Sequence, residues 1–286
     1  MTTLKQDPAS EYFFSLHKSV NDELERLMPF STSKILDEAM RYALFPGGKR
    51  LRPILAILSG EIFSGRSKAL LSIAASVEML HAASLVLDDL PAMDNAQARH
   101  GRPSHHLVHD AALSVLCGHS LVSLALYLPT RSGLSDRACR IITAELSGCI
   151  GPIGMAASQA DDLLGNASSE QEAVKVAYGK TGYLFASAAF CGAAACGAPS
   201  EQSEILRSFG FHLGVAFQIA DDISDQHAED LSRSCVNVAN VVGRKRAVEI
   251  LHNELGMAEE KAGSIGGAGS LFVLTGRVRK NVSNVH

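Results

Sequence analysis

Three aspartates, Asp88, Asp89 and Asp94, stand directly behind an apolar run in LVLDDLPAMDNAQARHGRPSHH (85–106). A carboxylate leaves water at a cost unless a cation or hydrogen bonds compensate it, so three acids at the end of a greasy helix point to a bound cation. Acid pairs at helix ends also serve as solvated caps. Recurrence decides between the two: FQIADDISD (217–225) closes a second apolar run with Asp221, Asp222 and Asp225. Asp221 and Asp225, four residues apart, share one face of a helix. Asp88 and Asp94 do not share a face on an unbroken helix, but Pro91 between them should loosen it and let Asp94 swing back. Two such helices facing each other would form a carboxylate-lined cavity.

Ligands that are all oxygen favour a hard divalent cation, and Mg²⁺ commonly bridges a few carboxylates to substrate phosphates. Basic groups should then surround those phosphates. Lys49, Arg50 and Arg52 in FPGGKRLRP, Arg99 and Arg102 after the first cluster, and Lys180 in YGKTG are the candidates, with Gly47 and Gly48 permitting close backbone approach. Singly, each base reads better as a solvated surface residue; their association with both acid clusters reverses that reading.

The elements that must hold these residues are helical. Apolar residues recur every three or four positions over 35–44, 54–62, 70–87, 111–128, 138–150, 173–195 and 205–223, and no alternating runs bounded by hairpin turns occur. The spacing predicts an all-α, single-domain bundle over 1–286, with a polar lead at 1–12 and a poorly defined end at 262–286, where KAGSIGGAGS breaks the pattern. Among the 286 residues, acids and bases are interspersed with a net charge of −4, which argues against a nucleic-acid surface. Six cysteines without CxxC spacing read as free thiols. With an N-terminus lacking a charged-then-apolar design, they point to the cytoplasm. LFASAAFCGAAACGAP (184–199), taken as the most apolar stretch, is too short to span a bilayer.

Taken in order, GGKRLRP, EMLHAASLVLDDLPAMDNAQARHGRP, SQADDL, GKTG and FQIADDISD resemble the trans-isoprenyl diphosphate synthases, most of all bacterial geranylgeranyl diphosphate synthases. The resemblance implies the isoprenoid synthase fold around a central substrate cavity, a homodimer, and condensation of isopentenyl diphosphate with an allylic diphosphate. It implies that both aspartate clusters hold up to three Mg²⁺ on the allylic diphosphate, which Arg99, Lys180, Thr181 and Gln218 also contact. Gly48, Lys49, Arg52, His81 and the position of His100 correspond to the isopentenyl diphosphate site, while Gln159 and Asp162 support the metal. Ala83 and Ser84, just below Asp88, are small where farnesyl-making relatives carry a ring, which implies a geranylgeranyl product.

Three departures stand out. His100 occupies a position where the family has arginine, the stretch QHAEDLSRSCVN after Asp225 carries Arg233 as its only base, and Gly118-His119 replaces Gly-Asp. They leave open a farnesyl diphosphate synthase, or a weakly active paralogue serving as a regulatory or binding subunit. A class I terpene cyclase is disfavoured, since GGKRLRP has no role there.

Overall fold

The computed structural model describes residues 8–28, 31–163, 169–225 and 236–283. Thirteen α-helices occur among them: α1 (Pro8–Leu27), α2 (Lys34–Leu44), α3 (Leu51–Glu61), α4 (Lys68–Asp88), α5 (His105–Arg131), α6 (Asp136–Ile150), α7 (Met155–Leu163), α8 (Glu170–Ala177), α9 (Tyr183–Ala195), α10 (Ser200–Asp225), α11 (Val238–Val242), α12 (Arg244–Gly263) and α13 (Leu271–Ser283). The polar lead is shorter than the sequence suggests, because α1 already begins at Pro8. The C-terminal end is more regular, because α13 follows the glycine-rich break.

α9 is apolar and buried from Leu184 to Ala193, with α3, α4, α6 and α10 packed against it. Gly192 permits this packing: a β-carbon there would stand 1.9 Å from the carbonyl oxygen of Ala56 on α3. α4 starts under a Ser67 cap, whose hydroxyl accepts the Leu70 N–H, and buries most of its length. Buried side chains from Phe13 on α1 to Val278 on α13 belong to one continuous core.

The segment 184–199 is not the most membrane-like part. Lys68–Asp88, His105–Arg131 and Asp136–Leu163 are all long and apolar enough to cross a bilayer by length and composition. Of the apolar window in α4, 72% is buried inside the bundle, but only 33% of that in α5, which leaves Leu107, Val108, Val115, Leu116 and Tyr127 exposed.

Two short antiparallel strands, β1 (Ala98–Arg99) and β2 (Arg102–Pro103), form a hairpin that the sequence did not signal. His100 and Gly101 make its turn with φ of 52° and 73°, the pair of positive values that a tight hairpin requires.

Candidate active site

α4 ends at Asp88, three residues before Pro91, and the chain wraps back on itself. The Asp94 N–H donates to the Asp88 carbonyl at 2.9 Å, so Asp94 returns to Asp88 as expected. Burial pushes the Asp88 carboxyl up to about 6. Lys180 opposes that rise, while the charges of Asp94 and Asp89 add to it. The π-turn carrying Lys180 therefore faces the first cluster. Asp89 is directed elsewhere: only 2% exposed, it accepts from Arg99 Nη2 at 2.5 Å and Nε at 3.1 Å. Asp89 and Arg99 thus pair with each other, and the pairing uses Nε and Nη2 of a guanidinium that is still 38% exposed.

The second cluster divides in the same way. Asp222, 6% exposed, accepts from Gln218 Nε2 and from the Val238 N–H, both at 2.8 Å. Gln218 Oε1 in turn accepts the Thr181 hydroxyl at 2.6 Å. Asp221 is half-buried and its charge reaches Arg52. The side chain of Asp225 and the stretch 226–235, including Arg233, lie outside the described residues.

Lys180 and Thr181 sit in a π-turn, Tyr178–Gly182, where the sequence suggested an uninterrupted helix. Such turns concentrate at functional sites. Gly179 is needed because a β-carbon there would land 1.5 Å from Ser158 Oγ on α7. That close approach brings Asp162 of α7 to Lys180, whose ammonium donates to Asp162 Oδ2 at 2.7 Å. Asp162 Oδ1 accepts the Val236 N–H at 2.9 Å. Beside it, Gln159 is buried with neither amide atom hydrogen-bonded. Such an amide is costly unless something not belonging to the protein satisfies it.

The glycine-rich segment before α3 supplies the third wall. Gly48, His81, Asp89, Arg99 and His100 line one cavity of about 60 Å³. Arg52 Nη1 lies 3.3 Å from His81 Nε2, and its guanidinium stacks 4.7 Å above the Phe185 ring. Burial lowers Arg52 to about 10, against the pull of Glu78 and Asp221. Burial and the adjacent Arg52 hold His81 well below its ordinary value, so it is neutral at pH 7. Lys49 is exposed, 5.9 Å from the Phe217 ring. Two of the bases read from sequence border the same cavity but are engaged within the protein. Arg50 is buried against Glu78 and the Leu44 carbonyl. Arg102 donates to the Phe45 carbonyl and covers Tyr42. Glu78, one turn before His81 in EMLH, went unnoticed, although the three-residue spacing puts both on one face.

His100 lies against Gly48, whose β-carbon position is 3.2 Å from its imidazole, so two residues that the resemblance assigns to one diphosphate are neighbours. Burial and Arg99 depress it, leaving it neutral near pH 7. A permanent fork-shaped cation there would add a charge-assisted contact worth about 1.5–3 kcal/mol. His100→Arg is therefore expected to tighten binding of inorganic diphosphate beside Gly48 about tenfold or more. Calorimetry that shows no change, or weaker binding, would contradict this.

Ala83 is fully buried, and Ser84 returns its hydroxyl to the His81 carbonyl at 2.9 Å. Neither borders the 60 Å³ cavity or a larger one of 680 Å³ between α6, α9 and α10. Nothing in the structure explains His119, which is exposed on α5. Among the described residues, no three acids, histidines or cysteines converge closely enough to hold a metal ion by themselves.

The fold and this double acid site define a class. Residues 33–233 match the polyprenyl synthetase family, and the chain belongs to it. It is 36% identical over 239 residues to the heterodimeric geranylgeranyl pyrophosphate synthase large subunit 2 of Arabidopsis thaliana, covering 81% of this chain and 63% of that one. A chloroplastic geranylgeranyl pyrophosphate synthase of Capsicum annuum is also 36% identical, over 76% of this chain and 60% of that one. The chain thus spans somewhat under two thirds of the length of these two relatives. Among solved structures, a geranyltransferase from Legionella pneumophila superposes with a TM-score of 0.86 at 28% identity, covering 96% of this chain and 97% of that one. An FPP/GFPP synthase from Zymomonas mobilis gives 0.84 at 26%, over 96% and 98%. The fold is the isoprenoid synthase fold.

Proposed function

We propose that this chain condenses isopentenyl diphosphate with an allylic diphosphate and releases geranylgeranyl diphosphate. One observation carries the reading: the half-buried Asp88 feels the charges of both Asp94 and Lys180 on the π-turn, while the charge of Asp221 reaches Arg52. Asp88, Asp94, Asp221 and Asp225 are the residues to hold Mg²⁺. The donor set fits, being entirely hard oxygen, and the unpartnered Gln159 amide suits an ion's hydration shell or a phosphate oxygen. Bound Mg²⁺ would neutralise charge developing on the departing diphosphate.

The chain's own groups supply the rest. Lys180 and Arg99 place fixed cations beside the allylic diphosphate as its carbon–oxygen bond breaks and the electron pair leaves with it. Arg52, Lys49 and a hydrogen bond from neutral His81 orient isopentenyl diphosphate, whose double bond attacks the allylic carbon. The released diphosphate then accepts the proton. Phe185 and Phe217, 5.5 Å apart under Arg52, turn apolar faces toward this region. No side-chain nucleophile is required. The direct test is diphosphate release from farnesyl diphosphate: it should need both isopentenyl diphosphate and Mg²⁺, and release without either would refute the assignment.

Product length is assigned to Ala83 and Ser84. Ala83 borders neither cavity, so this assignment rests on the resemblance; Ala83→Tyr should shift the product toward farnesyl diphosphate. Mass analysis showing the longer product unchanged would move the floor elsewhere. The exposed apolar side chains of α5 suit a second copy of the chain, hence a homodimer, and a monomer by light scattering at micromolar concentration would contradict that. We place the enzyme in the cytoplasm. A binding subunit of low activity is the second reading, favoured by the neutral His100 against Gly48.

A further inference from the structure

At the start of the π-turn, three polar groups meet inside the bundle. Tyr178, the first residue of the turn, donates its hydroxyl to Glu254 Oε1 on α12 at 2.9 Å. Glu254 Oε2 lies 2.7 Å from His212 Nδ1 on α10. Glu254 is only 3% exposed, and burial with the adjacent carboxylate pushes the Tyr178 hydroxyl up to about 12, so it stays a donor. Phe211 seals the cluster, its ring 5.1 Å from that of Tyr178 and 3.3 Å from the β-carbon position of Gly182.

A π-turn is a rare single-turn interruption of a helix, so what packs around it matters to its shape. Ser158 fixes one side of this turn through Gly179, and the Tyr178–Glu254–His212 cluster fixes the other. Two residues after Tyr178 comes Lys180, and three after it Thr181. We infer that Glu254 is a positioning residue, which acts through Tyr178 to set the height at which Lys180 and Thr181 meet the allylic diphosphate. This rests on the elongation reading above. A buried carboxylate is otherwise an expensive way to join α10 and α12, since apolar packing would do so at less cost.

Two variants test it, Tyr178→Phe, which removes one hydroxyl, and Glu254→Gln, which keeps the shape. Each should raise the Michaelis constant for farnesyl diphosphate about tenfold, leave that for isopentenyl diphosphate within twofold, and preserve far-UV helicity. Calorimetric binding of inorganic diphosphate with Mg²⁺ should weaken in parallel. Ser72→Ala removes a hydrogen bond to the equally buried Glu23, far from the turn, and serves as the structural control. It should lower the melting temperature without moving either Michaelis constant. Equal losses for both substrates, or unchanged constants in Tyr178→Phe, would overturn the inference. If the wild type binds Mg²⁺–diphosphate but does not condense, the elongation reading fails, and the calorimetry alone decides the role of Glu254. A wild type that binds none overturns both.

Discussion

Asp88→Asn is expected to cut turnover about a hundred- to a thousandfold, the usual cost of losing one electrostatic contact to a transition state, and to make the protein more stable. Burial raises the Asp88 carboxyl from 3.8 to about 6, so the folded chain holds this proton more tightly than the unfolded one. The charged form is thus a destabilising presence in the metal-free protein. Its cost is complete above about pH 6, shrinks as pH falls through the interval, and vanishes below 3.8. A shift of that size corresponds to about 3 kcal/mol. With chelator present, the variant should therefore unfold at higher temperature than wild type at pH 8 and at the same temperature near pH 3.5. An asparagine variant less stable at pH 8 would show that the local charges, Lys180 first among them, already compensate Asp88.

The second large effect concerns the base that the motif put in the wrong place. Arg50 and Glu78 form an ion pair whose side chains are 1% and 5% exposed, and Arg50 also donates to Asn21 Oδ1 and to the Leu44 carbonyl. Glu78→Gln leaves a buried guanidinium without its counter-charge and should cost about 3–5 kcal/mol, a large share of the stability of an ordinary domain. Replacing both partners with apolar residues, Arg50→Met with Glu78→Leu, should cost far less, because no charge remains to be solvated. Urea midpoints for the single and double variants read this directly. If the double variant is the less stable of the two, the pair contributes net stability and the desolvation argument is wrong.

How much of this was legible beforehand follows from how local each signal is. The acid clusters, the break at Pro91 and the long apolar helices depend on neighbours in sequence, so α4 and α10 could be read with the correct ends facing the site. The fate of individual side chains depends on burial and backbone angle. Arg50 sits among three bases in GGKRLR, and only its φ of 52° and the acid at 78 turn it inward while Arg52 reaches His81. Asp89 and Asp222 look identical to their neighbours in a DD pair. Arg99 and Gln218, from a hairpin and from the preceding helical turn, claim them. The glycines of YGKTG were visible, but the π-register depends on Ser158, twenty-one residues earlier. Glu254 lies beyond every recognisable motif, on a helix that belongs to the site only through Tyr178.

Two opposed aspartate clusters are expected to make this chain an elongating prenyl transferase without help from a second kind of subunit. Incubating the purified chain alone with farnesyl diphosphate, labelled isopentenyl diphosphate and Mg²⁺ tests it most directly, with Asp221→Ala as the parallel sample. Labelled geranylgeranyl diphosphate is expected from the wild type, none above background from the variant, and none from either when the metal is chelated. Binding of both substrates without any labelled product from the wild type would contradict it.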